Sequence, residues 1–266
     1  MPSGENSVEI KELANIDLRN GVIIDGFPSI GLVGSIVSNY LVNIMKIEQI
    51  GIMDSPYFPT ISLIRNREPN NPVRIYGGKI ERPGEDPLKI AVFVSEFQPS
   101  SNLIKPISTA ILDWGQAQMA SLVVSPEGLA VEDMVVPSSA DQEKLDVYAV
   151  GSTMHARLYF ETHEEIKPFD EGVISGVAGV LLNEGKKRNF DVISLLAEAH
   201  ESYPDAKAAA RIIEALDMSI LHMNINTDPL YREAEIIEES IKRFQMQKAA
   251  ADKRNRDKKP LPPMYG

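Results

Sequence analysis

The last three residues, Met264-Tyr265-Gly266, set an apolar side chain, a phenol ring and a terminal carboxylate in consecutive positions. The ring brings apolar area with a polar tip. A free carboxylate can be held by a lysine or by backbone N–H groups. This is the chemistry of capture in a partner's pocket. Upstream, Pro260, Pro262 and Pro263 remove backbone donors and favour an extended path. About ten residues of that kind reach roughly 30 Å at ~3.1 Å each. The alternative reading of the same residues is a frayed terminus with no task.

A second set of candidates surrounds a strand-to-helix turn. The run GVIID, Gly21 to Asp25, leads into GFPSIGLVGSIVSNYLV, with Gly26, Ser29, Gly31 and Gly34 at the turn. The spacing is neither G-x-G-x-x-G nor a phosphate-binding P-loop, and the Ser29 context is not a nucleophile elbow. Tight packing of a helix on a sheet by small residues is the better account of these glycines. Glu96 and Gln98 follow the C-terminal end of LKIAVFV, Leu88 to Val94. Ligands bind at that end of the strands in open α/β sheets. Gly26, Ser29, Gly31, Glu96 and Gln98 are therefore the candidate ligand pocket.

No catalytic residue stands out. The chain has no cysteine, so a thiolate nucleophile and a cysteine-ligated metal are excluded. His155, His163, His200 and His222 show no zinc-binding spacing, and His163-Glu164-Glu165 reads as a solvated turn. No metal and no cofactor are expected. Arg65, Arg67 and Arg74 form the clearest arginine group, in or beside the polar turn RNREPNNP, and are expected to be solvated.

The elements that would position these residues follow from periodicity. Compact apolar runs predict strands at Gly21–Asp25, Gln49–Met53, Thr60–Ile64, Val73–Glu81, Leu88–Val94, Ser121–Val124 and Asp146–Val150. Helical spacing predicts helices after Pro28, over Ile104–Met119 and over Ala206–Leu216. A long final helix starts with Asp228 as cap and Pro229 in the first turn. Residues 126–141 are expected to be irregular, and Asp191–Ala197 is ambiguous between strand and helix. With 266 residues and 43% hydrophobic content, the chain can bury a large core. Residues 1–20 read as an N-terminal extension with a short edge strand at Val8–Leu13, 21–245 as an α/β domain, and 246–266 as a polar helix end with a flexible tail. Net charge −11 argues against a general nucleic-acid binder, although Asp252 to Lys259 is locally +3. Neither a secretory signal nor a membrane-length apolar run is visible, so the expected place is the cytoplasm.

The run from Gly172 to Leu216 resembles the proteasome assembly chaperone family in its archaeal form. The resemblance rests on Gly172, Ile174, Gly176, Gly179, Leu181 and Leu182, on Leu195-Leu196-Ala197-Glu198, and on Pro204-Asp205 before Ala208 and Ala209. Gly26-Phe27-Pro28, Gly31, Gly34 and Gln98-Pro99 agree with it. One departure is Ser125-Pro126-Glu127-Gly128, where the family pattern has a glycine pair after the strand. The resemblance implies a phosphorylase/hydrolase-like α/β domain, a central mixed sheet flanked by helices. It further implies homo-oligomers that handle core proteasomes. It implies that Met264-Tyr265-Gly266, a hydrophobic-Tyr-any tripeptide, docks between α-subunits of the core particle without ATP. The outcome is either assembly of subunits or opening of a finished particle. The alternatives are a small-ligand enzyme on a phosphorylase-like fold, an oligomer with an inert tail, and a nucleic-acid contact through Lys253 to Lys259.

Overall fold

The computed structural model describes residues 8–130, 145–237, 239–240 and 243. Its centre is the short strand β2 (Val22–Ile24), all three residues of which are buried. Successive side chains in a strand point to opposite faces. Accordingly Val22 and Ile24 join one core, with Val92, Val94 and Val124, while Ile23 joins another, with Ala91, Phe93 and Val123. A strand covered on both faces reads as a continuous apolar run, which is why GVIID and LKIAVFV carry no alternation.

With β1 (Glu9–Glu12), β3 (Glu48–Asp54), β6 (Val73–Arg82), β7 (Glu85–Ser95), β8 (Leu122–Ala130), β9 (Val147–Gly151), β10 (Ile166–Pro168) and β11 (Asp191–Ala199), β2 builds a nine-stranded mixed sheet. The order is β1-β3-β6-β7-β2-β8-β11-β9-β10. The middle, β7-β2-β8-β11, is parallel. β6 and β3 extend one side antiparallel, and β9 is antiparallel to β11. The hairpin β4 (Leu63–Arg65) and β5 (Glu68–Asn70) stands apart from this sheet.

The helices form the outer layers. α1 (Val33–Met45) and α5 (Ala206–Leu216) pack in the core of Val22 and Ile24, through Val33, Val37, Leu41, Ile212, Ile213 and Leu216. α3 (Met154–Glu161) joins that core through Ala156 and Phe160. α2 (Ser101–Ala117) and α4 (Gly176–Arg188) pack in the core of Ile23, through Ile107, Ile111, Val177 and Leu181. A last helix, α6, covers 228–237, with Leu230 and Ala234 buried.

Three expectations change and one ambiguity is resolved. The strand expected to end at Val124 continues to Ala130, with Pro126 inside it. β2 stops opposite Val124, whose carbonyl faces β2 and accepts from Asp25 N at 2.8 Å. Two residues on, the missing donor of Pro126 points to the same side, where β2 pairs no further. Pairing to β11, Leu195 opposite Pro126, continues on the other side. Asp191–Ala199 is a strand, and its buried positions on both faces explain the ambiguous period. The helix expected directly after Pro28 begins with a kinked turn at Ile30–Leu32, and α1 follows. Asp228 lies inside the first turn of α6 rather than before it, and Asn226 Oδ1 accepts from its amide at 3.0 Å.

Arg74 also departs from expectation. It lies on β6, within the expected strand Val73–Glu81, but fully buried instead of solvated. Its Nε donates to Tyr76 Oη at 3.1 Å, Nη1 to the Asn71 carbonyl at 3.0 Å, and Nη2 to Glu96 Oε1 at 2.5 Å. Buried charge persists where it is paired and hydrogen-bonded.

Candidate functional site

Met264, Tyr265 and Gly266 lie outside the described residues. The candidate site within them is where β2 ends against the middle of β8. Asp25, the residue after β2, faces Ser125 of β8, and Ser125 Oγ donates to Asp25 Oδ2 at 2.7 Å. Asp25 Oδ1 accepts from the Phe27 amide at 3.1 Å. Glu127 follows Ser125 by two positions, so strand alternation puts it on the same face. There it borders a cavity of about 210 Å³ together with Ser29, Gln98, Ser175 and Gly176. The first turn of α4 closes one wall.

Burial dominates the electrostatics of this pair. It pushes the Asp25 carboxyl up from 3.8 to about 6, against the opposing effect of the Ser125 and Phe27 hydrogen bonds. Glu127 is raised well above the usual carboxylate range, first by burial and second by the charge of Asp25. Burial and the nearby Asp25 charge both favour a proton on Glu127. A protonated carboxyl can donate and accept hydrogen bonds at once. The space beside it is below the roughly 300 Å³ at which pockets for larger ligands begin. Among the described residues no group of three or more His, Asp or Glu side chains gathers as a metal site.

The structure brings two of the predicted pocket residues, Ser29 and Gln98, to the cavity wall. The Ser29 hydroxyl accepts from the Gly34 amide at 3.1 Å, fixing the turn into α1. Gly26 sits beneath β7, where an added Cβ would come within 2.1 Å of the Phe93 carbonyl oxygen. Gly31 takes the left-handed conformation, φ +60, and its carbonyl accepts from the Asp205 amide at 2.8 Å. Glu96 stands apart from the cavity lining, ion-paired to Arg65 at 2.7 Å and to Arg74 at 2.5 Å. The residues missed are Asp25, Ser125 and Glu127. Their signal was an acid ending a buried apolar run, and a second acid just past another.

Three of the histidines pair with acids at separate places. His200 Nδ1 meets Asp205 Oδ2 at 2.8 Å, His222 Nδ1 meets Glu85 Oε1 at 2.5 Å, and His155 meets Asp191. No helix among the described residues is long and apolar enough to cross a membrane.

Comparison with known proteins adds to this geometry. Residues 23–245 match the model of the PAC2 family. An uncharacterized protein of Methanocaldococcus jannaschii is 26% identical over 256 residues, covering 96% of this chain and 98% of that protein. The crystal structure of Pyrococcus furiosus PbaA, described as an archaeal homolog of proteasome-assembly chaperone, is 27% identical with a TM-score of 0.76. The match covers 93% of this chain and 96% of PbaA. Pyrococcus furiosus PbaB, described as an archaeal proteasome activator, shares the fold at 23% identity and a TM-score of 0.76, over 91% of this chain and 100% of PbaB.

Proposed function

The chain belongs to the PAC2 family, and from that premise we propose that it is a homo-oligomeric chaperone of the core proteasome that docks Met264-Tyr265-Gly266 into pockets between α-subunits, without ATP. The observation that carries this reading is the match to PbaA along nearly the whole of both chains. The folded domain presents the tail, and α6 is the stem from which it leaves. Met264 fills an apolar notch, Tyr265 packs its ring and donates a hydrogen bond, and the Gly266 carboxylate pairs with a cation. One short tail binds weakly. Several tails on one oligomer gain roughly 10²–10⁴ in avidity.

The test compares the full chain with a chain ending at Pro263, each used to pull down archaeal core proteasome, with peptide hydrolysis by the particle scored in parallel. Tail-dependent binding with faster hydrolysis identifies a gate-opening activator. Tail-dependent binding without acceleration identifies an assembly factor. Equal binding by both chains, or by neither, defeats the docking proposal.

The Asp25–Glu127 pair beside a cavity favours a second reading, a small-ligand enzyme. Phosphorolysis needs arginines free to hold phosphate, whereas Arg65 and Arg74 are both engaged by Glu96. Turnover of common nucleosides with phosphate, lost in Glu127→Gln, is the result that would install this alternative.

A further inference from the structure

Helix α1 reads VGSIVSNYLVNIM, with no acidic or basic residue in its 13 positions. It is the only α-helix among the described residues without a charge, in a chain whose composition is 24% charged. Burial does not explain this. Val33, Val37 and Leu41 face the core, but Leu32 is 44% exposed, Ile44 is 37% exposed, and Asn43 lies on the surface. Ser35, Ile36, Asn39 and Tyr40 are half-covered.

Beside this face runs a groove of about 300 Å³ between α1 and α6, lined by Leu32, Ser35, Ile36, Asn39, Asn43 and Leu230 among others. Tyr40 Oη donates to the Asn226 carbonyl at 2.5 Å and pins the two elements together. Ser35 Oγ is buried there without a hydrogen-bond partner. A buried hydroxyl left unpaired carries a free-energy cost. One turn beyond Glu233 on α6, Ile236 is 66% exposed.

The charge distribution selects the occupant. Each copy of this chain carries −11, so two copies repel overall, and contact through an uncharged face adds least to that repulsion. The centres of protein interfaces are depleted in charge, with polar and charged groups at the rim. Here both signs border the face, Asp228 and Glu233 on α6 and Lys46 just past α1. The polar groups on the face are of the kind that satisfy their own copies. Each Asn amide carries both donors and an acceptor, and each Ser hydroxyl carries a donor and acceptors. A two-fold contact puts the same patch on both sides, so self-pairing chemistry is what it requires.

Building on the homo-oligomer in the proposed function, we infer that the uncharged face of α1 is the surface through which two copies of this chain associate, Leu32 of each copy seating in the groove between α1 and α6 of the other. The axis then runs near Asn39 and Asn43.

The test measures mass by light scattering on the full chain across a concentration series, without proteasome. Leu32 has φ +53, a left-handed position that Asn and Asp tolerate better than Leu. Leu32→Asp therefore introduces a charge with little backbone cost, and Leu32→Asn is the uncharged control. Leu32→Asp and Asn43→Lys should each weaken self-association by roughly 30-fold or more, the loss expected when the centre of an interface is disrupted. Leu32→Asn should weaken it far less. Because the chain has no cysteine, Asn43→Cys should give a disulfide-linked dimer on mild oxidation, while Lys187→Cys on α4 should not. Circular dichroism melts verify that each variant folds.

Wild-type mass retained in both charged variants, with no Asn43→Cys dimer, overturns the inference. So does a chain that is monomeric at every concentration. A monomer that becomes oligomeric on truncation after residue 243 assigns the groove to the chain's own C-terminal segment and equally overturns it. Failure of the docking proposal shows only in the pull-down, and failure of this one only in the mass.

Discussion

Ser125 donates a 2.7 Å hydrogen bond to Asp25 across the seam between β8 and β2, with both side chains buried. The carboxylate is thus held by one hydroxyl and one backbone amide in a place where water does not reach it. Burial wins over both hydrogen bonds, and the net effect on the Asp25 carboxyl is upward.

A pH dependence with a definite sign results. The folded-state pKa of Asp25 is raised from 3.8 to about 6. The folded state therefore binds more protons than the unfolded chain between these values. The associated stability is complete below the unfolded value and is lost as pH rises through about 6. At about 1.4 kcal/mol per pH unit the full effect is on the order of 3 kcal/mol. Glu127 acts in the same direction. Urea unfolding of the wild type should show stability falling from pH 5 to pH 7, and Asp25→Asn should flatten that slope. An unchanged slope in Asp25→Asn means that the pair is not the titrating element.

Glu96 stands between a buried cation and an exposed one, and the two should differ in weight. Arg74 is fully buried, so Glu96→Ala leaves it without its counter-charge and should cost about 3 kcal/mol or more. Arg65 is half-exposed, and Arg65→Ala should cost less than about 1 kcal/mol. Denaturation midpoints at constant m-value measure both. Equal costs would show that Tyr76 and the Asn71 carbonyl suffice to hold Arg74.

Two glycines separate steric clash from backbone strain. At Gly26 an added Cβ meets the Phe93 carbonyl oxygen at 2.1 Å, which neither backbone can relieve. Gly26→Ala should abolish soluble expression or cost more than about 4 kcal/mol. Gly176 has φ +73 but open space around it. Gly176→Ala should cost only the conformational penalty, about 1–2 kcal/mol. Comparable losses at the two positions would mean that β7 and β2 shift apart more easily than their pairing implies.

The middle of the sheet was legible because GVIID and LKIAVFV are too apolar and too short for anything but covered strands. Helices α2 and α5 were legible from their spacing. The continuation of β8 was hidden because Pro126 argues against a strand, and only the early end of β2 makes room for it. The burial of Arg74 was hidden because the turn before it is polar, while its buried partners, Tyr76 and Glu96, come from β6 and from the segment after β7. The carboxyl pair escaped for a related reason. Asp25 and Glu127 are about a hundred positions apart, and parallel pairing of β2 with β8 alone brings them together. Ser29 and Gln98 could be placed near the cavity because the rule that ligands bind at strand C-termini depends on strand order alone.

The tail's chemistry can be divided by two substitutions at Tyr265. Under the docking proposal the ring supplies apolar burial and the hydroxyl one hydrogen bond. Tyr265→Phe removes only the hydroxyl, about 1 kcal/mol or roughly fivefold per tail. Tyr265→Ala removes the ring as well, about 3 kcal/mol for a fully buried aromatic, and should leave too little affinity per tail to detect. Avidity multiplies these ratios, because each tail of an oligomer must rebind its own pocket. The stretch Asp252 to Lys259 is net +3, and under the same proposal any contribution from it depends on salt. If it steers the tail towards an acidic surface, Lys258→Glu with Lys259→Glu should slow association at low salt and leave dissociation unchanged. Surface plasmon resonance with immobilised core particle resolves the two rates. Full binding by Tyr265→Ala would sink the tail as the docking element. An association rate insensitive to both salt and the charge reversal would reduce the basic stretch to a solubilising spacer.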